Sequence, residues 1–150
     1  MEPLLVSACL LGFACKYDGG HNALPPETLA RLRQRYRLIP VCPETAGGLP
    51  VPRTPAERRG EAVVSRTGRD VTEAFTRGAA AALRLAGRYG CRAALLKERS
   101  PSCGSGRIYD GSFSGTLVPG SGVTAEALCR AGLAVYGESM IEDILENPEP

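Results

Sequence analysis

The sequence predicts an α/β fold over residues 1–150: one domain, a three-layer sandwich with a mostly parallel, Rossmann-like sheet of about four strands and a small hairpin beside it. Two observations carry the prediction. Four short apolar runs, Leu4-Leu5-Val6-Ser7-Ala8, Leu38-Ile39-Pro40-Val41, Ala93-Ala94-Leu95-Leu96 and Leu133-Ala134-Val135-Tyr136, alternate with stretches of helical spacing. The chain of 150 residues is also long enough for one core that buries about 70% of the unfolded surface.

Taken in order, strand one (4–8) runs into a cysteine-containing loop and the turn Lys16-Tyr17-Asp18-Gly19-Gly20. Pro25-Pro26-Glu27 opens a helix with Leu29, Leu32 and Tyr36 on one face, while Arg31, Arg33, Arg35 and Arg37 point elsewhere as a solvated row. Strand two (38–42) follows. The segment from Pro43 to Pro55 is too rich in Pro and Gly for regular structure and too long for a plain connector, which marks it as a functional loop. Ala62–Ser65 and Asp70-Val71, separated by Arg66-Thr67-Gly68-Arg69, predict the hairpin. Thr72 is expected to cap a long helix with Phe75, Ala79, Leu83 and Ala86 at helical spacing, ended by Tyr89-Gly90. Beyond strand three (93–96), two glycine-rich excursions lead to a short helix from Thr124 to Gly132, strand four (133–136), a last helical stretch (139–145) and a frayed Asn147–Pro150 tail.

Composition narrows the function. The net charge of +2 comes from 18 basic and 16 acidic residues, well mixed along the chain. That argues against nucleic acid or a membrane surface and for a small-molecule partner. The run Val6-Ser7-Ala8-Cys9 looks like a lipoprotein cleavage site, but Glu2 replaces a positive leader and the apolar stretch before it is too short. The apolar run from Leu4 to Ala14 is likewise too short to span a bilayer. A cytoplasmic protein with reduced thiols is expected, so its 6 cysteines are ligands, nucleophiles or core rather than disulfides.

Cys9, Cys42 and Cys103 each follow a strand, so a parallel sheet gathers all three at its carboxyl edge, where open α/β sheets bind ligands. Cys91 and Cys129 lie within or beside helices and read as small core residues. No Cys-x-x-Cys pair is present, and the lone His21 has no deaminase motif beside it. Three gathered thiolates with an open coordination position form one reading of the site; scattered core cysteines, or one nucleophile, form the others. Glu44 near Cys42 and Ser100 and Ser102 near Cys103 add a proton carrier and hydroxyl donors at that edge.

The blocks Ser7-Ala8-Cys9-Leu10-Leu11-Gly12, Cys15-Lys16-Tyr17-Asp18-Gly19, Cys42-Pro43-Glu44, Gly47-Gly48-Leu49-Pro50, Ser100-Pro101-Ser102-Cys103-Gly104 and Tyr109-Asp110-Gly111 with Phe113-x-Gly115 together resemble the bacterial 2-thiouracil desulfidase family. The resemblance runs along nearly the whole chain in one order. It implies a [4Fe-4S] cluster held by Cys9, Cys42 and Cys103, with one iron lacking a protein ligand. It also implies non-redox hydrolysis of a C–S bond in a thiolated pyrimidine such as 2-thiouracil or a related thioamide, with sulfide leaving to an unidentified acceptor. Glu44 is then the expected proton carrier, and Ser100 places the substrate or its protons. Ser102, Asp18, Arg53 and Asp110 are candidate substrate contacts, although Asp18 and Asp110 each read first as a turn residue in Tyr-Asp-Gly and Arg53 could peg its loop. Cys15 fits a replacement ligand, a sulfur-accepting thiol or a buried residue. Two other classes stay open: a cluster-binding sulfur carrier or sensor, and a hydrolase using Cys103 as nucleophile.

Overall fold

A computed structural model describes residues 1–146 of the chain. The expected frayed tail, Asn147–Pro150, lies outside the described residues. Four parallel strands, β1 (Glu2–Ser7), β2 (Tyr36–Val41), β5 (Ala93–Leu96) and β8 (Ala134–Gly137), form one sheet in the order β2-β1-β5-β8. The expected three layers are present. Leu5, Ile39, Val41, Ala94 and Leu96 point to one face, where α3 (Thr72–Tyr89) and α4 (Val123–Arg130) contribute Ala82, Ala86, Ala125 and Leu128. Leu4, Val6, Ala93 and Leu95 point to the other, against Leu32 of α1 (Pro26–Arg35) and Ile141 and Ile144 of α5 (Ile141–Glu146). Successive side chains on each strand thus serve opposite cores.

Several boundaries differ from expectation for visible reasons. Tyr36 starts β2 rather than finishing α1; its hydroxyl donates to the Ile144 carbonyl at 2.9 Å, a tertiary contact that helical spacing cannot foresee. The arginine row is partly engaged, since Arg31 pairs with Glu142 at 2.8 Å and Arg35 donates to the Leu145 carbonyl. The loop after Cys42 opens with one helical turn, α2 (Pro43–Ala46), because Pro43 sits at the first helical position, where it is tolerated. The hairpin is displaced: β4 (Ala62–Ser65) pairs antiparallel with β3 (Ala56–Arg59), and only a single bridge joins Val64 to Asp70. Thr72 is inside α3, not its cap; its hydroxyl accepts from Val63 N–H at 2.8 Å while Asp70 accepts from Thr72 N–H at 2.9 Å. A second small ribbon, β6 (Arg107–Tyr109) with β7 (Leu117–Pro119), stands beyond β5. Cys91 is buried as expected, whereas Cys129 is exposed on α4 and belongs to no core.

The chain leaves β1 for β2 on one side of the sheet and returns past β1 to β5 on the other. The strand order therefore reverses between β1 and β5, and a crevice opens at their carboxyl ends.

Candidate active site

The strand ends set out the thiols. In the β1–β2 register Ser7 faces Val41, so Cys9, in the 3₁₀ turn Ala8–Leu11, and Cys42, just past β2, emerge side by side. Cys103 comes from the loop after β5, whose start is tied to β1 by Lys97 N–H donating to Ser7 Oγ at 2.9 Å. All three line one cleft of about 580 Å³ at the reversal point, together with Cys15, Glu44, Arg53, Ser100 and Ser102. Asp18 and Asp110 are not among its walls: each folds back on its own turn, Asp18 accepting from Gly20 N–H and Asp110 from Ser112 N–H, both at 2.9 Å.

Burial governs the thiols' electrostatics. It pushes Cys103 up to about 12, with the Ser7 and Ser102 hydroxyls pulling the other way. It also raises Cys9, against a hydrogen bond from Asn22. Cys15 is pushed up to about 12, first by burial and then by its neighbour Cys42. Left to themselves these thiols hold their protons, the reverse of an activated cysteine nucleophile. A metal centre inverts that logic by taking the sulfur as thiolate.

The polar side of the cleft is organised around Glu44. Ser102, 2% exposed, donates to Glu44 Oε2 at 2.8 Å, and Arg53 Nε donates to Glu44 Oε1 at 3.0 Å. Ser100 Oγ accepts from the N–H groups of Ser102 (3.2 Å) and Cys103 (3.0 Å) and lies 3.0 Å from Ser102 Oγ. With both lone pairs of Ser100 engaged, its hydrogen is directed to Ser102, whose own single hydrogen is shared between Glu44 at 2.8 Å and Cys103 Sγ at 3.7 Å, the shorter contact completing a donor chain to the carboxylate. Each Arg53 nitrogen already has a partner in Glu44, the Pro50 carbonyl or the Cys15 carbonyl, so the side chain ties the Glu44 and Cys15 walls of the cleft to the Pro50 turn.

Sequence reasoning gave no role to Asn22, Glu57, Arg66, Lys97, Tyr109 or Phe113, which also line the cleft. Only Tyr109 and Phe113 carried a signal, as members of the glycine-flanked block 109–115. Among the described residues, no three His, Cys, Asp or Glu side chains converge on a single-ion position. Cys9, Cys42 and Cys103 share the walls of one cleft, and Cys42 is near enough to Cys9 and to Cys15 to act on both electrostatically.

A parallel α/β sheet with thiols from three neighbouring strand ends and a carboxylate beside them defines a site suited to a soft, thiolate-held centre working with a proton carrier. The model of the 2-thiouracil desulfurase family matches residues 4–140, and the chain belongs to that family. It is 43% identical over 152 residues to the uncharacterized protein YbbK of Bacillus subtilis (strain 168), covering 95% of this chain and 99% of YbbK. It is also similar to the solved structure of the [4Fe-4S]-dependent thiouracil desulfidase TudS, at 50% identity and a TM-score of 0.91 over 95% of each chain.

Proposed function

We propose that this protein is an iron–sulfur desulfidase that converts a thiolated pyrimidine such as 2-thiouracil into its oxo counterpart and sulfide. The observation that carries the reading is the meeting of Cys9, Cys42 and Cys103 with the Glu44–Ser102 pair in one cleft, in a chain that shares fold and half its sequence with a thiouracil desulfidase. The donor set fits a [4Fe-4S] cluster: three soft thiols from separate strand ends line one cleft. When bound, the cluster supplies a soft Lewis acid with an open position for thiocarbonyl sulfur.

The reaction is hydrolytic and balances without electrons: thiocarbonyl plus water gives carbonyl plus hydrogen sulfide. What the chain must supply is proton traffic and orientation. Glu44 stands two residues after Cys42 and accepts from the Ser102 hydroxyl, so it takes the proton from the attacking water and returns one to ring nitrogen or sulfur. Ser100 and Ser102 extend that path, and Arg53 fixes the carboxylate through Oε1, leaving Oε2 to exchange protons with Ser102. The test is anaerobic reconstitution followed by measurement of sulfide and uracil from 2-thiouracil; cluster-loaded protein that releases neither sinks the reading.

A further inference from the structure

The 110–116 loop contains a conformation that its own turn does not require. Phe113 has φ +57°, in the left-handed region, between Gly111 (φ +95°) and Gly115 (φ +79°). An aromatic residue there is strained, and a glycine would make the same turn without strain. The conformation is imposed from outside the loop: Glu57 Oε1, on β3, accepts from both Gly111 N–H (3.0 Å) and Phe113 N–H (3.1 Å). The polar side chains of the loop bind one another, Ser112 with Asp110 (2.5 Å) and Ser114 (2.6 Å), and Ser114 with Thr116 (2.8 Å). Phe113 is set apart from them as a wall of the thiol cleft. Arg66, exposed on the turn after β4 and another wall of the cleft, lies over its ring at 5.6 Å from the centroid.

Backbone strain held in place at a cleft points to a use for the side chain so held. Resting on the function proposed above, we infer that Phe113 is the specificity-determining residue against which the flat ring of the thiolated base stacks, and that Glu57 is its positioning residue. A conjugated thioamide ring has a π-face that an aromatic wall recognises without hydrogen bonds, while its polar edge remains free for Glu44 and the serines. Arg66 makes the Phe113 wall cationic, which suits the partial negative charge of a ring carbonyl or thiocarbonyl.

The experiment uses cluster-loaded full-length protein, with KM and kcat for 2-thiouracil, the Ki of uracil as a competitive inhibitor that cannot turn over, iron content, and melting temperature. Base–aromatic stacking is worth enough that Phe113→Ala should raise both KM and Ki on the order of 10- to 100-fold. Iron content and kcat should stay within about threefold of the parent. Phe113→Tyr should restore both affinities. Phe113→Gly should lose affinity like the Ala variant yet melt above it, because glycine is at ease where the backbone is strained. Glu57→Ala should raise KM and Ki, and Glu57→Gln, which keeps an acceptor oxygen, should rescue them. Unchanged KM and Ki in an active Phe113→Ala protein, or loss of iron from it, overturns the inference while leaving the desulfidase reading intact. An iron-loaded parent that releases no sulfide from the base overturns both.

Discussion

The backbone of Gly78, in the middle of α3, lies directly against the carbonyl of Pro43: a Cβ on Gly78 would be driven into that oxygen, and one on Gly47 into the carbonyl of Ala74. Two glycines facing opposite ways let α2 sit backbone to backbone on α3. This contact flanks Cys42 and contains Glu44, so a helix that carries none of the thiols sets where both groups stand. Gly78→Ala is expected to cost about 1–3 kcal/mol as overpacking and to push α2 away. A lowered melting temperature together with reduced iron retention is the expected outcome. A variant that keeps iron and the parent melting temperature would show that α2 shifts freely.

The thiols sort into two sets. Ala at Cys9, Cys42 or Cys103 is expected to abolish the brown chromophore of anaerobically prepared protein, each variant leaving less than one cluster per chain. Cys129→Ala, at an exposed position, should change nothing. Cys91→Ala should keep the cluster and lose about 1 kcal/mol of stability from the core. Cys15 stands beside Cys42, whose thiol lies 3.9 Å from the Cys15 carbonyl. Cys15→Ser is expected to retain iron, and iron counts with the visible spectrum check it: loss at Cys15 with retention at Cys42 would exchange their roles.

How much of this was legible before any coordinates depends on whether local chemistry or distant packing made the choice. The largely buried strands β1 and β5, the half-exposed edge strand β8 and the stop at Gly90 (φ +70°) follow from apolar runs and an αL cap. β3 was invisible because Glu57, Arg58 and Arg59 have no strand pattern; they are held by β4, by Arg58 pairing with Glu126 at 2.9 Å, and by contact with the 110–113 loop. The gathering of Cys9, Cys42 and Cys103 was readable, since parallel strands place their ends together. The Glu44–Ser102 bond was not, because the pair is 58 residues apart and no local pattern encodes it. The same holds for the Arg53 tie and for the Glu57 grip on Phe113.

The two serines should separate by readout. Ser100 accepts from two backbone N–H groups and so shapes the Cys103 loop, whereas Ser102 donates directly to Glu44. Ser100→Ala is expected to weaken turnover while keeping iron, with some loss of stability because two buried donors lose their acceptor, typically about 1–3 kcal/mol for an unmet buried group. Ser102→Ala should lower kcat with less effect on melting. Equal kcat for Ser102→Ala and parent, measured at saturating 2-thiouracil, would remove the hydroxyl chain from the proton path.

Glu44 provides the decisive separation between an enzyme and a protein that only carries a cluster. Its carboxylate receives one hydrogen bond from Arg53 and one from Ser102, with Cys42 two residues before it at the start of α2. Pro43 fixes the backbone between them. Glu44→Gln preserves the length and planarity of the side chain and removes its capacity to take up a proton. The amide oxygen can still accept from Arg53 or Ser102, so the cleft should hold its shape. Iron content, the cluster spectrum and the Ki of uracil are expected to match the parent, and sulfide release to fall on the order of 10²–10⁴-fold, the usual worth of a general acid/base. Arg53→Met gives the complementary measurement: it leaves the Glu44 carboxylate in place but frees Oε1 and the Pro50 and Cys15 carbonyls, so turnover should fall less steeply and melting more. Full activity in Glu44→Gln would dismiss the carboxylate as proton carrier, and loss of iron from it would make Glu44 part of the cluster's support.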